Sequence, residues 1–215
     1  MATDTQEIPL EQQLWFFVAT AGLGLLPIVF RSGVASPAAI VASDLVGLSE
    51  LVDPASVSPI TASFISQTED EFIMESWQFV SDNVDYSAFG STMVFQDHSV
   101  LCELCLLPAE IVKLPDAKSN CVGMAALLTS LLRTRISPKR VYMVVGDLVR
   151  NGVGGHAWVI VDRGGEWYLL EATGPPKGWV RFKDKLGMYV PQVFFNDVEF
   201  ICGDPTYCAN VGAHT

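Results

Sequence analysis

The sequence predicts an α+β fold, a helical lobe packed on an antiparallel sheet, and three stretches carry that expectation. The first is Cys121 to Arg133, CVGMAALLTSLLR, where Ala125, Leu128, Leu131 and Leu132 recur at steps of three and four with Leu127 alongside. Apolar residues at that spacing line one face of a helix built for burial. The second is the pair of apolar runs Val159 to Val161 and Trp167 to Leu170, joined through Arg163, Gly164, Gly165 and Glu166. A Gly-Gly pair between two such runs reads as a tight hairpin. The third is Thr68-Glu-Asp-Glu71, a capping box that opens an amphipathic helix through Phe72, Ile73, Trp77 and Val80.

The rest of the chain can be placed around these. Leu14 to Phe30 is uncharged and mostly apolar, at the lower limit of about 17 residues for a membrane span. Gly22, Gly24 and Pro27 crowd its end, and Asp4, Glu7 and Glu11 precede it with no Lys or Arg. That is unlike the basic start of a secretory signal, so a buried helix is preferred and a membrane anchor through residues 14–30 stays open as the alternative. Ser32 to Pro59, punctuated by Ser36-Pro37, Asp53-Pro54 and Ser58-Pro59, reads as a connector, wrapped or extended. Residues 1–60 are thus expected to form an apolar helix and connector, and residues 61–215 the main domain. Pro108 to Leu114 makes a short helix with Pro at its first position, and Arg140 to Val145 a strand. Gly146 to Gly155 reads as a flexible loop, Gly174-Pro175-Pro176 as a turn, and Gln192 to Ile201 as a last strand.

Composition bounds the function. The chain of 215 residues can bury a full core, and 50% hydrophobic residues with a mean hydropathy of +0.33 exclude a disordered protein. The net charge of −11 is unevenly spread: before Lys113, Arg31 stands alone against fifteen acidic residues (1 − 15 = −14), while from Lys113 onward twelve basic residues meet nine acidic (12 − 9 = +3). An acidic half repels phosphates, so neither nucleic acid nor anionic lipid is an expected partner. Its natural complement is the mildly basic half. With no signal peptide read, the expected compartment is the cytoplasm, or a membrane surface if residues 14–30 anchor the chain.

The chemistry centres on Cys121. Ser119 and Asn120 are both good capping types, so Cys121 falls in the first turn of its helix, where unpaired amides and the macrodipole favour a thiolate. If Arg163 pairs with Glu166, paired positions across the hairpin sum to 329, so Trp158 faces Glu171 and His156 faces Thr173. Alternation then puts His156, Trp158, Glu171 and Thr173 on one face. His156 and Glu171 become diagonal neighbours at about 7 to 8 Å, a gap their side chains can span. A cysteine on a helix start, then an imidazole and a carboxylate on adjacent strands, supplies the nucleophile, base and orienting group of thiol catalysis.

In these stretches the chain resembles the transglutaminase-like cysteine peptidase superfamily, relatives of papain. The family's cysteine box resembles Cys121 to Arg133, its histidine box His156-Ala-Trp158-Val159, and its acid box Trp167-Tyr-Leu-Leu-Glu171-Ala-Thr173. The likeness covers roughly residues 65 to 200, with Pro108 to Leu114 resembling a stretch that precedes the cysteine box. Two departures stand out: Ser119-Asn120 where many members have Gly-Asp, and Glu171 where Asp is usual.

The resemblance implies a papain/transglutaminase-like core and a thiol enzyme with catalytic Cys121, His156 and Glu171. It would attack a peptide or protein amide through a thioester acyl-enzyme, with hydrolysis favoured over amine transfer. It implies no cofactor and no metal, and leaves the oligomeric state open. The Cys121 N–H is one expected oxyanion donor. The second is sought among Trp77, Asn83, Gln96 and Asn120, and Trp158 is expected to pack beside the histidine.

Two other classes compete. Cys102 and Cys105 with Cys202 and Cys208 could form a four-thiolate zinc module, although the wide second spacing fits poorly. The fold could also persist as an inactive interaction scaffold. His98 and His214 have no partner legible in the sequence and default to the surface.

Overall fold

A computed structural model describes residues 46–87, 92–96, 99–103, 106–114, 116–150 and 152–203. The apolar run Leu14 to Phe30, Cys105, Cys208, His98 and His214 lie outside these residues. Among the described residues no helix is long and apolar enough to cross a membrane.

The architecture is α+β. In chain order the elements are β1 (Val46–Gly47), a 3-10 turn (Leu48–Leu51), α1 (Pro54–Thr61), α2 (Glu69–Asn83), β2 (Asp85–Tyr86), β3 (Thr92–Gln96), β4 (Ser99–Glu103), α3 (Pro108–Ile111) and β5 (Lys118–Ser119). There follow α4 (Cys121–Arg133), β6 (Val141–Val149), β7 (Val153–Arg163), β8 (Glu166–Leu170), β9 (Val180–Arg181), a 3-10 turn (Phe182–Lys185), β10 (Tyr189–Phe195) and β11 (Phe200–Cys202). Six strands form an antiparallel sheet in the order β11-β10-β6-β7-β8-β9. β1, β4 and β3 make a separate sheet, and β2 pairs with β5 in parallel.

Helix α4 is the centre of the molecule. Every residue from Val122 to Leu132 is buried, including Thr129 and Ser130. Their hydroxyls donate back to Ala125 O and Ala126 O at 2.8 Å, and Ser130 Oγ also accepts the Asp53 N–H at 3.0 Å. Buried hydroxyls must be satisfied in this way to avoid a desolvation penalty. The apolar stripe in the sequence is thus only part of a helix that is enclosed on all sides. At its far end Arg133 holds Asp197 through Nε at 2.6 Å and Nη2 at 3.1 Å and donates to Ile136 O, with its side chain only 8% exposed.

The sheet has two covered faces. Val141, Met143, Val145, Ala157, Val159, Val161 and Leu170 join the main core with α4. The alternate residues Tyr142, Val144, Trp158, Ile160 and Leu169 form a second cluster with Phe182 and Tyr189. This is the period of a strand buried on both sides.

Several elements differ from expectation. Gly146 to Gly155 is not a loop: β6 runs to Val149 and β7 starts at Val153, so strands occupy most of the stretch. The reason for one glycine is contact. A Cβ at Gly146 would lie 2.1 Å from Val190 O, where β10 carries an irregularity between Pro191 and Val193. The last strand is two, broken by Asn196, whose side chain accepts the Val198 and Glu199 N–H groups at 2.9 Å and donates to Val141 O at 2.9 Å. The connector coils as α1, capped by Asp53 Oδ1 accepting the Ser56 N–H at 3.1 Å, and Leu51, Val52 and Val57 enter the main core. Residue 60 therefore falls inside a helix of that core. The capping box of α2 forms as read, with Thr68 Oγ1 accepting from Glu71 N at 3.2 Å and Glu71 Oε2 from Thr68 N at 2.9 Å.

The acidic and basic halves meet at the start of α2. Arg140 pairs with Glu69 at 2.6 Å and Arg163 with Asp70, while Arg135 lies 4.4 Å over the Phe72 ring and donates to Thr61 O at 2.9 Å. Exposed pairs of this kind contribute about 0 to 1 kcal/mol each, so they set which surfaces meet more than how tightly.

Gly146 and Gly154, both within strands, give opposite expectations. Gly146→Ala is expected to destabilise by about 1 to 3 kcal/mol or more, because backbone blocks the new methyl. Among the described residues no atom lies within 4 Å of where a methyl at position 154 would sit, so Gly154→Ala should be neutral or stabilise by up to about 1 kcal/mol. Denaturant unfolding of both variants checks the pair.

Candidate active site

The segment leading into Cys121 is fixed from two sides. The parallel pairing of β2 with β5 aligns Tyr86 with Ser119, with Asp85 N–H donating to Ala117 O and Ser87 N–H to Ser119 O, both at 2.9 Å. Asn120 is then the N-cap: its Oδ1 accepts the N–H groups of Val122 at 3.1 Å and Gly123 at 3.3 Å. Gly123 has to be small, since a Cβ there would lie 2.0 Å from Ser119 Oγ. Two first-turn amides are capped, and among the described residues no acceptor meets the Cys121 N–H. The thiol is partly exposed in the field of that helix start.

The hairpin supplies the other groups. Its register runs from Arg163↔Glu166 to Val159↔Leu170, the pairing that the Gly-Gly turn predicts, with both glycines at positive φ (65° and 89°). The ladder ends there, yet Glu171 still meets His156, Oε2 to Nε2 at 2.8 Å, with side chains 12% and 21% exposed for His156 and Glu171. With Nε2 on the carboxylate, Nδ1 is the ring nitrogen left for Cys121, which acts electrostatically on the imidazole.

Glu171 is held on every side. Its Oε1 accepts the Thr173 hydroxyl at 2.8 Å and the Thr173 N–H at 3.2 Å. Its Oε2 accepts the Tyr189 hydroxyl at 2.9 Å. Its backbone oxygen accepts the Trp77 indole N–H at 2.9 Å, which is shared with Gly174 O at 3.2 Å.

Charge follows from this packing. Burial alone would raise the Glu171 carboxyl, but the His156 charge and the bonds from His156 and Thr173 outweigh it and hold the group well below its ordinary range. Burial would likewise lower His156. The Glu171 charge, with the Glu171 hydrogen bond and the influence of Cys121, more than reverses it, so the ring holds its proton well above its ordinary range. Burial, then the charges of Cys121 and Glu171, push the Tyr86 phenol up to about 12.

The structure therefore brings together Cys121, His156 and Glu171, with Asn120 capping the helix below the thiol. Trp158 is fully buried, its ring 6.1 Å from that of His156 and inclined by 25°. It walls off the imidazole from behind and offers no accessible surface to a substrate. Of the side chains considered as second oxyanion donors, Trp77 is engaged with Glu171 O, Asn83 donates to Phe79 O at 2.8 Å, and Asn120 serves as the cap. The Gln96 side chain lies outside the described residues.

Tyr86 and Tyr189 were not legible as site residues: each reaches the site through a strand pairing, β2 with β5 and β10 with β6, that no turn signal fixes. Among the described residues no cluster of three or more His, Cys, Asp or Glu is placed to hold a metal. Cys102 and Cys202 lie in β4 and β11.

No family profile matches the chain, and no curated protein matches it. Among solved structures, the chain is similar to Legionella pneumophila LapG with a TM-score of 0.47 at 10% identity, over 72% of this chain and 90% of that one. The EGTA-treated form of LapG gives 0.48 at 9% identity over 73% and 89%, and the calcium-bound form 0.42 at 10% over 71% and 88%.

The shifted groups set a pH window. Glu171, held below its unfolded value of 4.5, contributes stability that is present above that pH and fades as pH falls through the folded value. His156, held above 6.5, contributes stability that is fully present below 6.5 and fades as pH rises through the folded value. The Tm difference between the native protein and Glu171→Gln should therefore peak between pH 4.5 and 6.5 and shrink on both sides. Thermal melts across that range and beyond check it, and a difference that keeps growing in alkali contradicts the assignment.

Proposed function

We propose that the protein is a thiol-dependent amide hydrolase or acyl transferase of the transglutaminase-like type, acting on a peptide or protein substrate. The observation that carries this reading is the 2.8 Å contact of His156 with Glu171 beside a thiol on a helix start. A structural cysteine needs neither a charged imidazole beside it nor a carboxylate clamped behind that imidazole.

In this reading His156 holds the proton of Cys121 and the thiolate attacks the amide carbonyl carbon. The carbonyl oxygen gains charge opposite the Cys121 N–H. Collapse breaks the C–N bond, the amine leaves with the imidazolium proton, and the acyl group remains on sulfur as a thioester. Water then attacks that thioester, His156 takes its proton, and the acid departs as the thiol regains one. Glu171 keeps the ring oriented and offsets its charge. Hydrolysis is favoured over transfer to an amine because amine transfer requires a device that excludes water, and Cys121 is partly open.

Cys121→Ala and His156→Ala are each expected to abolish amide cleavage while keeping the native fold, and Glu171→Gln to lower it by about 10²- to 10⁴-fold. Peptide pools incubated with and without a fluorescent primary amine, read by mass spectrometry, check cleavage, acyl-thioester formation and amine transfer together. No cleavage and no adduct on Cys121 would leave an interaction scaffold as the better reading.

A further inference from the structure

A glutamate in the orienting position has one more rotatable bond than an aspartate, so it needs more to hold it. Here four donors do so, and they divide by oxygen. Thr173 supplies both bonds to Oε1. That is local, two residues along the same turn. Oε2 takes His156 Nε2 at 2.8 Å and the Tyr189 hydroxyl at 2.9 Å. Tyr189 arrives from a distant strand, opposite Leu148 on β6, with its ring edge-on to Trp158 at 5.2 Å and 6.1 Å from His156.

We propose that Tyr189 is a positioning residue of this site: its hydroxyl shares one oxygen of Glu171 with the His156 ring, fixes the carboxylate opposite the imidazole and draws off part of its charge, so that the imidazolium remains able to give up its proton. A carboxylate oxygen with a second donor is a weaker base, and a weaker base stabilises the adjacent imidazolium less. Too strong a carboxylate would lock the proton on the ring, and the departing amine would lack its acid.

The surroundings keep Tyr189 in its donor form. Burial, then the charge and hydrogen bond of Glu171, push its phenol far above the ordinary range, with Arg150 acting weakly the other way. Among the described residues the other titratable groups facing the pair are Cys121 from α4 and Tyr86 from β2. The catalytic consequence rests on the proposed function, whereas the proton affinity of His156 does not, and the test separates the two.

In a Cys121→Ala background, which removes the neighbouring thiol, the His156 ring is titrated by NMR, its signal identified by its loss in His156→Gln. Tyr189→Phe keeps the ring packed on Trp158 and Thr173 keeps Glu171 in place, so the expected result is an upward shift of about half a pH unit or more. Replacing Tyr189 site-specifically with 3-fluorotyrosine, which is nearly isosteric and a stronger donor, should shift it downward. No shift, or a shift of opposite sign in either variant, overturns the proposal.

With Cys121 intact, Tyr189→Phe should lower kcat for amide cleavage about 10-fold at unchanged KM and move the alkaline limb of the pH profile upward. If the titrations shift as expected but native protein cleaves no amide, the proposed function fails and the role of Tyr189 stands. If native protein cleaves and the titrations do not move, the role of Tyr189 fails alone.

Discussion

Enclosure of α4 constrains the rest of the structure. An eleven-residue stretch with no exposed side chain must be surrounded, and fully burying each large aliphatic residue in it stabilises by about 1.5 to 3 kcal/mol. α1, α2 and α3 cover one side and the sheet the other. That leaves the helix start, where amides lack intrahelical partners, as the place where polar chemistry is required. Asn120 satisfies part of that need, and the remaining amide and the field of the helix fall on Cys121. The proposed nucleophile thus sits where an enclosed helix ends and its field is strongest.

The same enclosure explains why the sheet carries two cores. One face must be apolar to receive α4. The other could have been open to water, but Phe182 and Tyr189 cover it and join Trp158 in a dry cluster. His156 belongs to that second face, so its imidazole stands between an apolar wall and the carboxylate. In low dielectric the interaction of ring and carboxylate is stronger than it would be at the surface, which is the physical source of both shifted groups.

How much of this was legible in the sequence depends on the range over which each feature is specified. The α4 periodicity, the Thr68 capping box and the Gly164-Gly165 turn are local rules, and each formed as read. Because a two-residue turn fixes register, the sequence also placed His156 near Glu171 with no knowledge of the rest of the sheet. Features set by contact between distant strands were not legible. Gly146 reads as a loop residue until the backbone of Val190 is seen beside it. Asn196, which splits the last strand, reads as one polar residue among apolar ones. The α1 stretch, with prolines at 54 and 59, reads as a connector because proline usually breaks helices, although Pro54 occupies the first turn where it is tolerated.

The indole of Trp77 ties the site to a helix outside it. It belongs to α2, whose own burial rests on Phe72, Ile73 and Val80, and it holds the chain at Glu171 and Gly174 just where the hairpin ladder has ended. Local openings of a protein follow its cooperative units, and a turn without ladder bonds opens with whatever pins it. Lifting of α2 would therefore free the backbone at Glu171, while Thr173 and Tyr189 still hold the carboxylate itself. A helix with no residue in the proposed chemistry thereby helps keep the site assembled.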